Sequence, residues 1–345
     1  MMQSLHYVGS GRVEWTDVPD AEILAAADAV VRPLAAAACD LDAAIVVGVT
    51  PYEPPFALGH EFAGEVVAVG EAAKIAIGAR VIVPFQISCG ECRSCRRGFT
   101  SACGAVPRTS MYGIGEKGGS WGGAFSDLVR VPFASHMLVP LPADVSPSVA
   151  ARIGDNVADG YRAVKALEDQ PGATVLILSG GTKGSVALYA ALAARALGAE
   201  QVDFYDADAT RLEVARSLGA TPHEIDAWPK RVAARAITVD ATQDQDGLAC
   251  ALRSTEPGGL CTSTSMYFQP LVGVPMTEMY MKGVTLHTSR VSSRALLPQV
   301  LALVESGRLD PERVPADVVT WADLDRALLD FGTKLVAVRD DAARR

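Results

Sequence analysis

The sequence predicts an α/β protein with two lobes, a β-rich lobe followed by a doubly wound parallel sheet. Its 345 residues exceed the roughly 100–200 residues common in one domain. Residues from about 5 to 145 contain short apolar runs broken by many glycines and prolines, which is typical of irregular all-β structure. From about residue 172, apolar runs alternate with Ala- and Leu-rich stretches, which is typical of repeated βα units.

The strands and helices are predicted in chain order. In the first lobe the clearest strands cover residues 65–69 and 80–83. In the second, the alternation is strand 174–178, a Gly-rich loop, a helix to residue 197, strand 201–205, helix 211–218, strand 236–240, helix 247–254 and strand 259–265. A helix at 295–306 and a strand at 335–339 are too little for a third domain. We therefore expect domains at 1–150 and 151–289, with residues 290–345 returning to the first.

Charge and hydropathy exclude several kinds of partner. The formal net charge is -9 and no run of Lys and Arg forms a basic patch, so we expect no nucleic-acid partner. Residues 1–11 do not resemble a secretory leader, and no apolar stretch reaches about 18 residues without a charge. We therefore expect a cytoplasmic protein without a membrane partner; a small anionic substrate stays open.

Cysteine spacing predicts a metal site. Four of the seven cysteines follow the pattern C-x2-C-x2-C-x7-C, namely Cys89, Cys92, Cys95 and Cys103. Four thiolates at such spacing can close a tetrahedral zinc site with no open position, which makes the site structural. An iron–sulfur cluster uses the same ligands and stays an alternative. Clustering and an odd total favour metal ligation in a reducing compartment over disulfides.

A second motif resembles a known family. Residues 58–70 read L-G-H-E-F-A-G-E-V-V-A-V-G. This resembles the pattern G-H-E-x2-G-x-V-x2-V-G of the zinc-dependent medium-chain alcohol dehydrogenases, and the resemblance runs over nearly the whole chain. It implies a GroES-like catalytic domain with a structural zinc lobe at about 86–105, a Rossmann domain that binds NAD, and a homodimer or homotetramer. The implied reaction interconverts an alcohol or polyol with its aldehyde or ketone.

The same resemblance implies a catalytic zinc, and hence two zinc ions per chain. Its ligands would be Cys39, His60 and Asp155, with Asp155 preferred over Asp159 in the stretch G-D-N-V-A-D-G-Y. One thiolate, one carboxylate and a neutral imidazole balance Zn²⁺ formally and leave a fourth position open. Glu61 would lie near the metal as a transient ligand.

Two aromatic residues are implied to line the substrate cleft. Phe85 precedes Cys89 by four residues and matches a cleft position in relatives, and Trp121 is a further candidate. Packing in the core stays an alternative for both side chains.

The cofactor loop departs from the family pattern G-x-G-x2-G. Residues 179–187 read S-G-G-T-K-G-S-V-A. In relatives the last glycine of this pattern lies roughly nineteen residues before the acid that binds the ribose. Counting back that interval from Asp206 gives a register with a longer loop before the helix, which we favour. The other register lengthens the helix instead. In either register a pyrophosphate would lie near small residues at a helix N-terminus, here Gly180, Gly181, Thr182, Lys183, Gly184 and Ser185.

An acid after the second strand predicts the cofactor. Asp206 would accept hydrogen bonds from the adenosine ribose and repel a 2′-phosphate, which favours NAD over NADP. Arg211 matches a basic position beside that ribose, with a surface helix charge as the alternative. Asp203 and Asp208 are expected to be ordinary solvated acids.

Next to Cys39 the sequence lacks part of the usual proton relay. Relatives carry Ser or Thr two residues after the cysteine, where this chain has Leu41, and a histidine where it has Ala44. Asp42 matches the family's acid, whereas Asp40 would place a negative charge near the cofactor phosphates. We therefore expect slow turnover of simple alcohols, with protons leaving through water, through Glu61 or through a residue elsewhere.

Three alternative functions stay open. One is a dismutase-like enzyme that holds its nicotinamide through a turnover. Another is a nucleotide- or metal-binding relative that has lost catalysis, which the absence of a hydroxyl at Leu41 would explain. A zinc-free quinone reductase is the weakest alternative, because such enzymes lack both the cysteine lobe and the metal ligands.

Overall fold

The computed structural model describes residues 1–340, which divide into two compact units. Unit 1 comprises Met1–Asp155, Ser292–Glu305 and the chain from Ala316 onward. Unit 2 comprises Asn156–Val291 and Ser306–Pro315. The sequence analysis placed the second domain at 151–289, so Ser306–Pro315 is a stretch that it did not assign to that domain. Hydrogen bonds account for its place in unit 2, since Arg308 donates to the Ala196 carbonyl at 2.8 Å.

Unit 1 is β-rich, as predicted. Its first elements are β1 (Met2–Gly9), β2 (Arg12–Val18), β3 (Ala29–Ala38), α1 (Asp40–Val46), β4 (Phe56–Ala57), β5 (Glu61–Val69), β6 (Arg80–Val83), α2 (Arg93–Arg96), β7 (Val129–Val131), α3 (Ala134–Met137), β8 (Val139–Pro140) and α4 (Pro147–Arg152). Short 3₁₀ turns cover Thr100–Ala102 and Gly115–Gly118, and a π-helical turn covers Ile153–Val157. Strands β2, β1 and β4 form a small sheet.

Unit 2 contains the predicted parallel sheet. Its elements are α5 (Ala158–Val164), β9 (Val175–Ser179), α6 (Ser185–Ala196), β10 (Val202–Asp206), α7 (Ala209–Ser217), β11 (Thr221–Glu224), β12 (Arg235–Ala241), α8 (Gln245–Arg253), β13 (Thr255–Ser263), α9 (Met276–Lys282) and β14 (Thr285–Thr288), with 3₁₀ turns at Lys165–Glu168 and Pro311–Arg313. The strand order is β11-β10-β9-β12-β13-β14, and all these pairs are parallel. Strand β9 is wholly buried, as expected for the centre of a sheet covered on both faces.

The chain then returns to unit 1 through α10 (Ser293–Glu305), β15 (Asp317–Thr320), a 3₁₀ turn (Trp321–Asp323), α11 (Leu324–Ala327) and β16 (Leu335–Val338). Strand β16 pairs with β3 in the larger sheet, whose order is β15-β16-β3-β5-β6-β8, with β7 also on β3. The small side chains at Ala35–Ala38 are fully buried. This antiparallel pairing places Leu335, at the start of β16, opposite Ala38 at the end of β3.

Among residues 1–340, no helix has the length and apolar character needed to cross a membrane.

Candidate functional site

Four potential metal ligands that lie far apart in sequence meet in unit 1. They are Cys39, His60, Glu61 and Asp155, and their donor atoms all lie within 4.8 Å of one another. Cys39 follows β3, His60 precedes β5, and Asp155 lies on the π-helical turn after α4. Strands β3 and β5 are antiparallel neighbours with Ala37 opposite Glu61, so sheet pairing brings Cys39 and His60 together. The structure thus brings together the three ligands named from the sequence.

The spacing and chemistry of these donors fit zinc. Cys39 Sγ lies 3.5 Å from His60 Nε2, and that nitrogen lies 3.4 Å from Asp155 Oδ2. Tetrahedral bonds of about 2.3 Å to sulfur and about 2.0–2.1 Å to nitrogen or oxygen would separate ligand atoms by about 3.3–3.6 Å. Glu61 Oε1 is farther from His60 Nε2, at 4.0 Å. The geometry therefore suits three protein ligands, with Glu61 beside them.

Asp42 lies beside His60. Its Oδ1 lies 3.4 Å from His60 Nδ1, and its Oδ2 accepts the Cys39 backbone N–H at 2.9 Å. Both side chains are fully buried. A carboxylate beside one ring nitrogen directs the lone pair of the other nitrogen toward a metal. The sequence matched Asp42 only to an acidic position; its contact with the histidine comes from the structure.

Burial makes proton release part of metal binding at this cluster. Burial raises the pKa of the Cys39 thiol to about 12, against an opposing effect of His60. Burial acts to lower the pKa of His60, but Asp42 and Cys39 raise it well above its ordinary value. The pair of Cys39 and His60 therefore retains protons that a bound cation would displace. A metal ion requires the thiolate and the neutral imidazole, so binding must release these protons.

Lys334 is a buried partner of Glu61 that the sequence analysis missed. Both side chains are fully buried, and Lys334 Nζ donates to Glu61 Oε1. Burial raises the pKa of Glu61 to about 7, with Lys334 opposing. The two residues are 273 positions apart, so no local pattern could pair them. The only available signal was a lysine directly before the apolar run that forms β16.

The two aromatic candidates lie in different surroundings. The Phe85 ring is buried and meets the His60 ring edge-on, with 5.6 Å between centroids. Trp121 instead packs under the guanidinium of Arg130, which is 5.1 Å from the indole ring and pairs with Asp28. The Phe85 ring therefore contacts a predicted metal ligand, and Trp121 contacts Arg130.

The four cysteines at 89–103 form a second cluster, whose sulfur atoms lie within 4.8 Å of one another. All seven cysteines, which lie within the described residues, are free of disulfides. Backbone N–H groups point at the sulfurs; for example, Gly104 N–H donates to Cys92 Sγ at 3.3 Å. Hydrogen bonds from the backbone of Cys95 and Gly104 lower the pKa of the Cys92 thiol to about 6. The cluster fits a closed four-thiolate metal site.

The Gly-rich loop joins β9 to α6 in unit 2. Helix α6 begins at Ser185, which leaves Gly180–Gly184 as the loop and favours the longer-loop register. Gly184 has a φ of +68°, and a β-carbon there would lie 2.5 Å from Arg211 Cδ. Gly184 is therefore required both by its backbone conformation and by the close approach of Arg211.

Asp206 is buried and forms an ion pair with Arg211. Arg211 donates from Nε and Nη2 to its two carboxylate oxygens, each at 2.7 Å, and Asp208 N–H donates to Oδ1 at 2.9 Å. Asp208 also caps α7, and Asp203 pairs with Arg235. Of the three acids, only Asp206 lies at the carboxyl end of β10 beside the loop helix. An acid and a base therefore meet at the predicted ribose position.

Comparison with known proteins agrees with both units. Residues 25–143 match the alcohol dehydrogenase GroES-like domain family. A probable zinc-binding alcohol dehydrogenase of Mycobacterium tuberculosis is 28% identical over 338 residues, covering 96% of this chain and 85% of that protein. A glutathione-independent formaldehyde dehydrogenase of Pseudomonas aeruginosa is 33% identical over 227 residues, covering 62% of this chain and 56% of that protein.

A solved structure is similar over nearly the whole length. The alcohol dehydrogenase of Thermus sp. ATN1 superposes with a TM-score of 0.89 and 29% identity, covering 98% of this chain and 100% of that chain. The predicted combination of a GroES-like domain and a Rossmann-type parallel sheet is thereby confirmed.

Proposed function

Because this chain belongs to the zinc-dependent medium-chain alcohol dehydrogenases, and is a zinc-type alcohol oxidoreductase, we propose that Cys39, His60 and Asp155 hold its catalytic zinc. The reaction is hydride transfer between NAD(H) and an alcohol or polyol, or its aldehyde or ketone. The convergence of the three donor atoms in a buried cluster is the observation that supports this assignment. When bound, zinc supplies Lewis-acid activation of the substrate oxygen, and NAD supplies the hydride acceptor.

The protein's own residues prepare the site for that chemistry. The Cys39 thiolate and the Asp155 carboxylate together offset the charge of a divalent cation. Asp42 keeps the lone pair of His60 Nε2 available. The Phe85 ring covers the edge of His60 and limits the access of water.

Glu61 is our candidate proton acceptor. Leu41, whose backbone N–H donates to Cys39 Sγ at 3.4 Å, has no hydroxyl to accept a proton. Burial raises the pKa of Glu61 to about 7, so its carboxyl can take up and release a proton near neutral pH. Its place beside His60 and Asp155 supports this role.

The remaining site assignments follow the same proposal. Cys89, Cys92, Cys95 and Cys103 hold a second, structural zinc, which gives two zinc ions per chain. The loop Gly180–Gly184 and the start of α6 bind the pyrophosphate of NAD, with Asp206 and Arg211 beside the adenosine ribose.

We further propose a cytoplasmic homodimer or homotetramer. Strand β14 forms an edge of the unit 2 sheet, and helix α9 before it exposes Met276, Tyr280 and Met281. An open strand edge beside exposed apolar side chains supports association between copies. Seven cysteines without a disulfide support a reducing compartment.

Zinc content tests the ligand assignment. We expect two zinc ions per chain in the wild type, and one in Cys39→Ala and in Asp155→Asn, measured by elemental analysis after gel filtration. Asp159→Asn is the matched control, because this acid lies one helical turn after Asp155 and pairs with Arg162. Loss of one zinc in Asp159→Asn but not in Asp155→Asn would contradict the assignment. NAD binding without turnover on any alcohol, aldehyde or ketone would contradict the oxidoreductase function.

A further inference from the structure

The turn after β12 lies at the point where the unit 2 sheet reverses its winding. Strand β9 pairs with β10 on one side and β12 on the other, so the loops that follow β9 and β12 border one crevice. Ligands of open parallel sheets bind in such a crevice, at the carboxyl ends of the strands. The two loops touch, since a β-carbon on Gly180 would lie 2.8 Å from the Thr242 carbonyl oxygen.

Gln243, in this turn, has an unusual backbone. Its φ of +56° lies in the left-handed region, which residues with a β-carbon rarely adopt. The surroundings impose this conformation. Gln243 N–H donates to Ser265 Oγ at 2.9 Å, and the preceding Thr242 donates from its N–H and hydroxyl to Asp240 Oδ1 at 3.1 and 2.7 Å. Conformations imposed in this way concentrate at ligand-binding positions.

The conformation directs the Gln243 side chain toward the Gly-rich loop. A β-carbon on Gly181 would lie 3.3 Å from Gln243 Oε1 and 3.5 Å from its Cδ. The side chain of Gln243 is otherwise exposed. Its amide therefore lies over the loop at the crevice and presents both a donor and an acceptor there. A neutral amide can donate to a phosphate oxygen or a ribose hydroxyl without repelling either.

We propose that Gln243 is a positioning residue for the dinucleotide: its amide donates to the cofactor next to the pyrophosphate and braces the Gly180–Gly184 loop against it. This inference rests on the proposed function, because it requires that unit 2 binds NAD(H). It adds a polar contact to the cofactor from the loop after β12, separate from the contacts proposed for the Gly-rich loop and for Asp206.

Three variants of the full-length protein test the role, with the dissociation constant for NADH measured by titration calorimetry. Gln243→Glu keeps the shape but adds a negative charge, so we expect binding about tenfold weaker or more, with a defect that shrinks at high salt. Gln243→Gly removes the amide and relieves the backbone, so we expect binding about three- to tenfold weaker at an equal or higher melting temperature. Gln245→Glu adds the same charge two residues later and should bind like the wild type.

The outcomes separate this inference from the function on which it rests. Wild-type affinity in Gln243→Glu would overturn the role of Gln243 while leaving the proposed function intact. A Gln243→Gly protein that melts earlier but binds NADH normally would also overturn it, because the residue would then be purely structural. A wild-type protein that binds neither NADH nor NADPH would overturn the proposed function, and this inference with it.

Discussion

The two clusters of potential metal ligands in unit 1 are assembled in different ways. The four-cysteine cluster is built from residues 89–103, so two short turns suffice to bring its sulfurs together. The residues of the other cluster, Cys39, His60, Glu61 and Asp155, lie at β3, at β5 and on the π-helical turn. In this cluster Glu61 is paired with Lys334, which is 273 positions away in the sequence. The four-cysteine cluster therefore depends on local spacing in the sequence, whereas the other cluster depends on the pairing of strands in the sheet.

The same difference shapes their chemistry. In the local cluster, backbone N–H groups of Cys95 and Gly104 reach the sulfur and lower the pKa of the Cys92 thiol to about 6. In the assembled cluster, burial raises the pKa of the Cys39 thiol to about 12. A half-buried, backbone-bonded site suits a structural ion. A buried site with protons to exchange suits a reacting centre.

The largest expected effect separates activity from stability. Cys39→Ala should lower kcat/KM by about 10³-fold or more, because Lewis-acid activation is lost, with little change in melting temperature. Cys95→Ala should instead lower the melting temperature by about 10 °C, because the proposed structural zinc would no longer cross-link this segment. Alcohol oxidation assays and calorimetry on both variants check this. A Cys95→Ala protein that keeps its melting temperature but loses activity would reverse the comparison.

The next effect tests how far the assembled cluster depends on the end of the chain. Lys334→Met leaves the Glu61 carboxylate buried and unpaired, so we expect a loss of about 3 kcal/mol in the free energy of unfolding at pH 8. The pKa of Glu61 is raised to about 7, and loss of the lysine raises it further. Below that pKa the carboxyl binds a proton and needs no partner, so the loss should be smaller at pH 6.

Urea unfolding at the two pH values measures the effect of Lys334→Met. Lys334→Arg keeps the charge and is the matched control, with a small loss at both pH values. The double variant with Glu61→Gln should recover most of the stability, because no buried charge remains. An equal loss at pH 6 and pH 8 would show that packing, and not the ion pair, is the contribution of Lys334.

A smaller effect is expected from the local ion pair in unit 2. Asp206→Asn removes the carboxylate that holds Arg211 and frees the guanidinium for a 2′-phosphate, so the preference for NAD over NADP should fall by about tenfold. Competition between the two cofactors in steady-state assays gives the ratio. Asp208→Asn is the control, since asparagine keeps the cap of α7 and Asp208 lies farther from Arg211, at 3.8 Å, so the ratio should change much less. An unchanged ratio in Asp206→Asn would remove Asp206 from cofactor selection.

The smallest effect concerns the residue next to Cys39. Leu41→Ser adds the hydroxyl found in relatives but not the rest of the relay, since Ala44 still lacks a titratable group, so we expect kcat to rise by only about threefold. Leu41→Ala creates similar space without the hydroxyl and serves as the control. If Leu41→Ser has no effect on any tested alcohol, the hypothesis of a missing relay is wrong.

The elements predicted well are those with strong local signals. The apolar run that forms β9 and the Ala-rich α6 were found to within a few residues, because a buried central strand and a long helix each carry a continuous pattern. Helix α1 and strand β14 were missed. The first is seven residues long and is capped by Cys39 itself, and the second is a mostly exposed edge strand without alternation.

The sequence by itself therefore determined the spacing of the four cysteines and the alternation of strands and helices. Through resemblance to a family, it also indicated Cys39, His60 and Asp155 as candidate metal ligands. Only the tertiary structure decided that Asp42 faces the second nitrogen of His60, that Lys334 pairs with Glu61, that Arg211 holds Asp206, and that Gln243 lies over Gly181. The physical reason is distance along the chain. Spacing of a few residues constrains geometry directly, whereas contacts between distant segments depend on strand pairing and burial that no local pattern records.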